Sequence, residues 1–78
     1  MGTDEFLKLA ENAVRDYVGY KDDYDVYVVW NCKTLQNNKA ILATSVSDHL
    51  FFEVTYNGDK KELYLDVYKK EKNVCIKL

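Results

Sequence analysis

The residues able to do chemistry in this chain are few and far apart. Cys32, Cys75 and the single histidine, His49, are its soft and borderline metal ligands. A structural zinc site takes four ligands, usually in pairs at short spacing; three scattered candidates without such a pair point to no metal site. Asp22, Asp23 and Asp25 crowd an acidic stretch. An EF-hand calcium loop also needs a central glycine and a distal bidentate glutamate, and neither stands at the required place. A solvated turn is the simpler reading. Ser47, Asp48 and His49 supply the residue types of a hydrolytic triad, but a triad converges on one point from separate elements, which three consecutive residues do not. The three glycines are scattered, so no backbone loop cradles a phosphate. The chain therefore reads as non-catalytic, with no cofactor and no metal.

Its distinctive chemistry is aromatic. Seven tyrosines, three phenylalanines and one tryptophan fall within 78 residues, and the hydrophobic fraction is 47%. That much apolar surface offsets the entropy of ordering the chain and implies one folded domain over residues 1–78, near the lower size limit for a single core. The formal net charge is −2, from 13 acids and 11 bases. Without a basic surplus, non-specific duplex binding is disfavoured. The charge is uneven: residues 1–25 carry seven acids against three bases, and residues 59–78 four against six. No apolar run is long enough to span a bilayer, and neither a leader nor a lipidation motif is present. A cytoplasmic protein with no membrane partner is expected, its two thiols reduced, free and largely packed.

Elements that position these residues follow from periodicity. Thr3-Asp4-Glu5 offers side-chain acceptors and negative charge for a helix N-terminus. Phe6, Leu7, Ala10, Ala13, Val14, Tyr17 and Val18 then recur at helical spacing, with Lys8, Glu11, Asn12, Arg15 and Asp16 on the opposite face. Glu11 and Arg15 form a favourably ordered i, i+4 pair. Gly19 is suited to end the helix at positive φ. One amphipathic helix over about 4–18 is predicted, followed by a short acidic connector.

Alternation of period two takes over from there. Strands are predicted over about 25–34, 39–46, 50–56 and 62–69, with a short edge strand at 74–77 formed by Val74, Ile76 and Leu78. The connecting stretch Leu35-Gln36-Asn37-Asn38-Lys39 is assigned the first hairpin turn, since asparagine tolerates positive φ; Asn37-Asn38 stand at its centre. A two-residue turn there sets Trp30 opposite Ser45 and breaks the apolar face. A three-residue loop over 37–39 sets Trp30 opposite Val46, so an odd-length loop or a bulge is required. Asn57-Gly58 is the strongest hairpin signal. Used as a two-residue turn it sets Phe52 opposite Leu63 but Glu53 against Glu62; a four-residue loop over 57–60 keeps the parity and parts the acids. The resulting fold class is α+β: one N-terminal helix packed on an antiparallel meander of four to five strands.

One helix covers one face. Val28, Trp30, Leu42, Phe52, Val54, Leu63 and Leu65 share the parity assigned to it. The opposite parity holds Tyr27, Val29, Ile41, Ala43, Phe51, Tyr64 and Tyr68, among Asp25, Lys33, Glu53, Glu62 and Asp66. An apolar, tyrosine-rich face of this type marks a partner surface. The plainer account is that aromatic residues are good strand formers whose rings pair across strands. As an interface, Tyr27, Val29, Ile41, Phe51, Tyr64 and Tyr68 are its candidate residues, for a protein of unstated identity or a second copy in a homodimer. A base-stacking platform for single-stranded nucleic acid is the alternative; its basic track would have to come from Lys33, Lys39, Lys69, Lys70 and Lys72, and acids interrupt it.

The stretches 26–40 (Val-Tyr-Val-Val-Trp-Asn-Cys-Lys-Thr-Leu-Gln-Asn-Asn-Lys-Ala) and 55–70 (Thr-Tyr-Asn-Gly-Asp-Lys-Lys-Glu-Leu-Tyr-Leu-Asp-Val-Tyr-Lys-Lys) resemble the small uncharacterised proteins encoded by phages and prophages of Gram-positive bacteria. The resemblance covers most of the chain. It implies an accessory role in a bacterial cytoplasm, by binding a host or phage protein, and it carries no catalytic residue onto this sequence.

Overall fold

The apolar residues at helical spacing form α1, Thr3–Val18. The computed structural model describes residues 1–19, 23–46 and 49–78. Asp22 of the aspartate cluster, the rest of the connector at 20–21, and Ser47 and Asp48 of the next turn lie outside the described residues. Gly2, not Thr3 or Asp4, is the N-cap, and no side chain caps the helix. The helix starts one residue early, so Phe6 N–H donates to the Gly2 carbonyl at 3.0 Å. Asp4 and Glu5 still lie in the first turn, where the helix dipole favours acids. Gly19 ends the helix with φ of 80°, its N–H donating to the Arg15 carbonyl at 2.9 Å. That positive φ suits a residue without Cβ.

Four strands follow: β1 Val26–Thr34, β2 Asn37–Thr44, β3 Leu50–Asn57 and β4 Glu62–Lys69. They form one antiparallel sheet in the order β1-β2-β3-β4, a meander under a single helix. The architecture is α+β, as the periodicities predict.

The first turn lies at the start of its predicted stretch and not at the two asparagines. Thr34 pairs with Asn37, leaving Leu35-Gln36 as a two-residue turn, with Leu35 at φ of 57°. The two asparagines are drawn into β2 because they have other work. Asn37 Oδ1 accepts the Gly58 N–H at 3.0 Å, tying this hairpin to the next, and Asn38 is buried. The Gln36 side-chain amide also donates to Asp59. The second loop has four residues, 58–61, one later than expected, with the parity intact: Asn57 pairs with Glu62 and Phe52 with Val67. Asn57 Oδ1 accepts the N–H groups of Asp59 and Lys60 at 3.1 and 3.2 Å, the local bonding that suits asparagine to turns.

Placing the first turn at 35–36 moves the parity conflict into β1, where a bulge resolves it. Val28 pairs with Leu42 and Trp30 with Ile41, so the register slips at Val29. An extra residue of this kind reverses the facing of everything beyond it.

The core is built from Phe6, Ala10 and Val14 of α1 against Ala40, Leu42, Phe52 and Val54 of the sheet, all fully or almost fully buried. Burial of each large side chain contributes about 1.5–3 kcal/mol. Tyr17 meets Phe52 edge to face, centroids 5.9 Å apart. The helix lies chiefly over β1, β2 and β3. On β4, Leu65 and Val67 are only half-buried and Leu63 is exposed.

The edge strand expected at 74–77 is not formed. Residues 70–78 adopt no helix, strand or turn, and Glu71–Leu78 are all exposed. Its apolar side chains alternate as a strand's do, but among the described residues no neighbouring backbone pairs with it.

Candidate functional site

The face of the sheet away from the helix carries Tyr27, Trp30, Phe51, Tyr64 and Tyr68, all exposed. Its rows follow from the pairing. Trp30, Ile41, Glu53 and Asp66 stand side by side across all four strands; Cys32, Lys39, Thr55 and Tyr64 form the next row; Tyr27 pairs with Ala43, and Phe51 with Tyr68. Tyr27, Phe51, Tyr64 and Tyr68 are exposed by 41–53%, and Ile41 is half-buried between its neighbours. Five of the six predicted interface residues thus share one face. Val29, the sixth, sits at the bulge, itself 60% exposed and without a ladder partner.

Sequence reasoning placed Trp30 in the core. The bulge overturns this: Trp30 is 50% exposed and belongs to the outer face. The adjacent Val28-Val29 pair was the signal, since one of two neighbouring strand valines must face the wrong way or bulge. Lys33 makes the converse move. Assigned to the outer face, it instead reaches the carbonyl of Met1 beside the helix start. Cys32 and Cys75 are free but exposed, not packed, since β1 beyond the bulge and the segment after β4 lie outside the core.

The tyrosine hydroxyls on this face are satisfied locally. Tyr64 OH donates to Glu62 Oε2 at 2.9 Å, Tyr68 OH to Glu53 Oε1 at 3.3 Å, and Tyr27 OH to the Thr44 carbonyl at 3.2 Å. Lys39 Nζ lies 3.5 Å from Glu53 Oε2. The hydrogen bond to Glu62 is the main cause that raises the Tyr64 pKa above its ordinary value. For Tyr68 the charge of Glu53 comes first, with desolvation and Asp66 adding to it. Both phenols stay protonated as donors, so the rings present their faces and edges outward while their hydroxyls are bound at home. Beside Trp30, a groove of about 270 Å³ is lined by Cys32, Thr34, Asn37, Lys39 and Thr55, among others. The arrangement offers apolar contact and stacking, edged by carboxylates. Among the described residues no group of three His, Cys, Asp or Glu side chains is placed to hold a metal, and no helix is long and apolar enough to cross a membrane.

The model of a family of unknown function, DUF6275, matches residues 4–78. The chain belongs to the DUF6275 family. The match spans the helix, all four strands and the segment after β4, so the outer face lies wholly within the DUF6275 region. No curated protein and no solved structure matches this DUF6275 chain.

Proposed function

We propose that this chain is a non-catalytic protein-binding protein that associates with itself and engages a protein partner through its outer sheet face. The observation that carries this reading is the row Trp30–Ile41–Glu53–Asp66 with Tyr27, Phe51, Tyr64 and Tyr68 around it. Exposed aromatic residues grouped on a rigid sheet are the composition of interface hot spots. The chemistry of the partner follows. Glu53 and Asp66 stand in the middle of the face, and Lys39 answers only one of them. The partner therefore brings apolar side chains with arginine or lysine, whose cations stack on the rings and meet the carboxylates. No observation favours single-stranded nucleic acid: Lys33 is directed to the helix side, and the acids repel a phosphate backbone.

The resemblance to small phage and prophage proteins supports an accessory role in a bacterial cytoplasm, carried out on a host or phage protein. Capture experiments test the reading. The full chain and a Tyr27→Ser/Phe51→Ser variant, checked for equal thermal stability, are used as bait in infected or lysogenic cells. The native chain retains a specific protein and the variant loses it; equal capture by both refutes the role of this face.

A further inference from the structure

We propose that residues 70–78 add as a strand to the β4 edge of a second copy of this chain, each copy giving its segment to the other. This deepens the self-association named above, and rests on it, by assigning the joint to the sheet edge and not to the outer face.

The first observation is the edge itself. β4 is the last strand of an open sheet, eight residues long, paired without irregularity to β3, and among the described residues no strand pairs with its other side. The chain contains no proline. Edges of this kind recruit another strand unless a bulge, proline or covering element prevents it. The β1 edge carries such a bulge, and the β4 edge does not.

The second observation is the occupant. Val74, Ile76 and Leu78 alternate with Cys75 and Lys77, a strand pattern, yet Val74 and Ile76 are 61% and 78% exposed. Lys70 N–H donates to the His49 carbonyl at 2.6 Å, which prolongs the β3–β4 register by one pair beyond Leu50–Lys69. From there the chain runs on without turn or bend. Its radius of gyration of 13.9 Å exceeds the about 11.5 Å of a compact domain this long. The segment leads away from its own β4 edge, which leaves that edge open to another copy.

Parity and charge select an antiparallel second copy. Continued alternation puts Val74, Ile76 and Leu78 on the same side as Tyr64, Asp66 and Tyr68. A two-fold axis normal to the sheet preserves that side for both copies. In the register that sets Asp66 against Lys72, Tyr64 faces Val74 and Glu62 faces Ile76. Asp66 of β4 then meets a basic segment, which holds Lys70, Lys72 and Lys77 against Glu71. The two meanders become one eight-stranded sheet whose outer faces run together.

Sedimentation velocity of the full chain across low to high micromolar concentration tests this, beside Cys75→Pro, which removes an N–H that the ladder to Leu63 of the second copy would use, at an exposed position, and Tyr27→Ser/Phe51→Ser on the outer face. The native chain and the outer-face variant dimerise, and Cys75→Pro weakens the dimer by about tenfold or more. A native circular-dichroism spectrum, and a melting curve equal to native at a concentration where the native chain is monomeric, establish that Cys75→Pro still folds. In a mixture of labelled and unlabelled chains, NMR contacts between Tyr64 and Val74 arise between molecules. A native chain that is monomeric throughout, a dimer untouched by Cys75→Pro, a dimer lost only in the outer-face variant, or Tyr64–Val74 contacts within one molecule would each overturn the proposal. Loss of the captured partner with the dimer intact would refute only the reading of the outer face.

Discussion

Trp30 stands opposite Ile41, one residue past a bulge at Val29, and this pairing puts the only tryptophan of the chain on the outer face of the sheet. Its neighbours across the sheet are Glu53 and Asp66. The indole therefore adds contact surface without filling the core, and its removal leaves no cavity.

That position sets apart two aromatic substitutions. Phe52 is fully buried under the helix, so Phe52→Ala removes packed volume and lowers stability by about 3–5 kcal/mol. Trp30→Ala lowers it by about 1 kcal/mol or less, the range of exposed positions. Urea denaturation followed by circular dichroism measures both. Acrylamide quenching of native Trp30 fluorescence approaches that of free indole more closely than that of a buried one.

Gly58 is required by close approach and not by its dihedral angles. A Cβ built there stands 2.1 Å from the Gln36 carbonyl oxygen and 2.7 Å from its Cβ. The contact joins the two turns at one end of the sheet, where Asn37 also accepts the Gly58 N–H. Gly58→Ala forces these turns apart and costs about 1–3 kcal/mol, the scale of overpacking. Gly2→Ala meets nothing within 4 Å and changes the melting temperature little. A thermal melt of each variant makes the comparison.

How far the sequence disclosed this arrangement depends on which physical signal each element carries. The helix was legible because Phe6, Ala10 and Val14 repeat at its period. The strands and their meander order were legible because alternation and Asn57-Gly58 mark them. The exact place of the first turn was not, since Asn37 and Asn38 have turn chemistry, yet Asn37 binds the Gly58 N–H and Asn38 is buried within β2. Val28 and Val29 are equally good strand residues, so nothing in their identity tells which one bulges. The outer face came through at Tyr27, Ile41, Phe51, Tyr64 and Tyr68, which lie on unbulged stretches or before the slip. It failed at Trp30 and Lys33, which lie after it.

Tyr64 and Tyr68 titrate after an ordinary tyrosine. Their pKa values are raised from 10.0 by carboxylates that favour the protonated phenol. The folded state therefore holds these protons more tightly than the unfolded one. The stabilisation is present in full below pH 10.0 and is lost as the pH rises through the folded values. Phenol ring shifts in an NMR titration locate each group. Glu62→Gln brings Tyr64 back toward its ordinary value, and Glu53→Gln does the same for Tyr68; failure of either to move refutes the named cause.

The carboxylates also decide between partners by the sign of one substitution. Asp66 lies exposed in the central row beside Glu53, and Lys39 is engaged with Glu53. A protein partner bearing arginine or lysine loses an attractive charge in Asp66→Asn and meets repulsion in Asp66→Lys. Its affinity therefore falls from native to asparagine to lysine, by about threefold to tenfold per step, and the differences shrink as salt screens the charges. A single-stranded oligonucleotide gives the opposite order, because each step removes repulsion from its phosphates. Titrating the three forms with the captured partner and with an oligonucleotide, at low and high salt, reads this sign directly. A rising series with the protein partner would remove the basic, apolar surface proposed for it, whatever the fold of the variants.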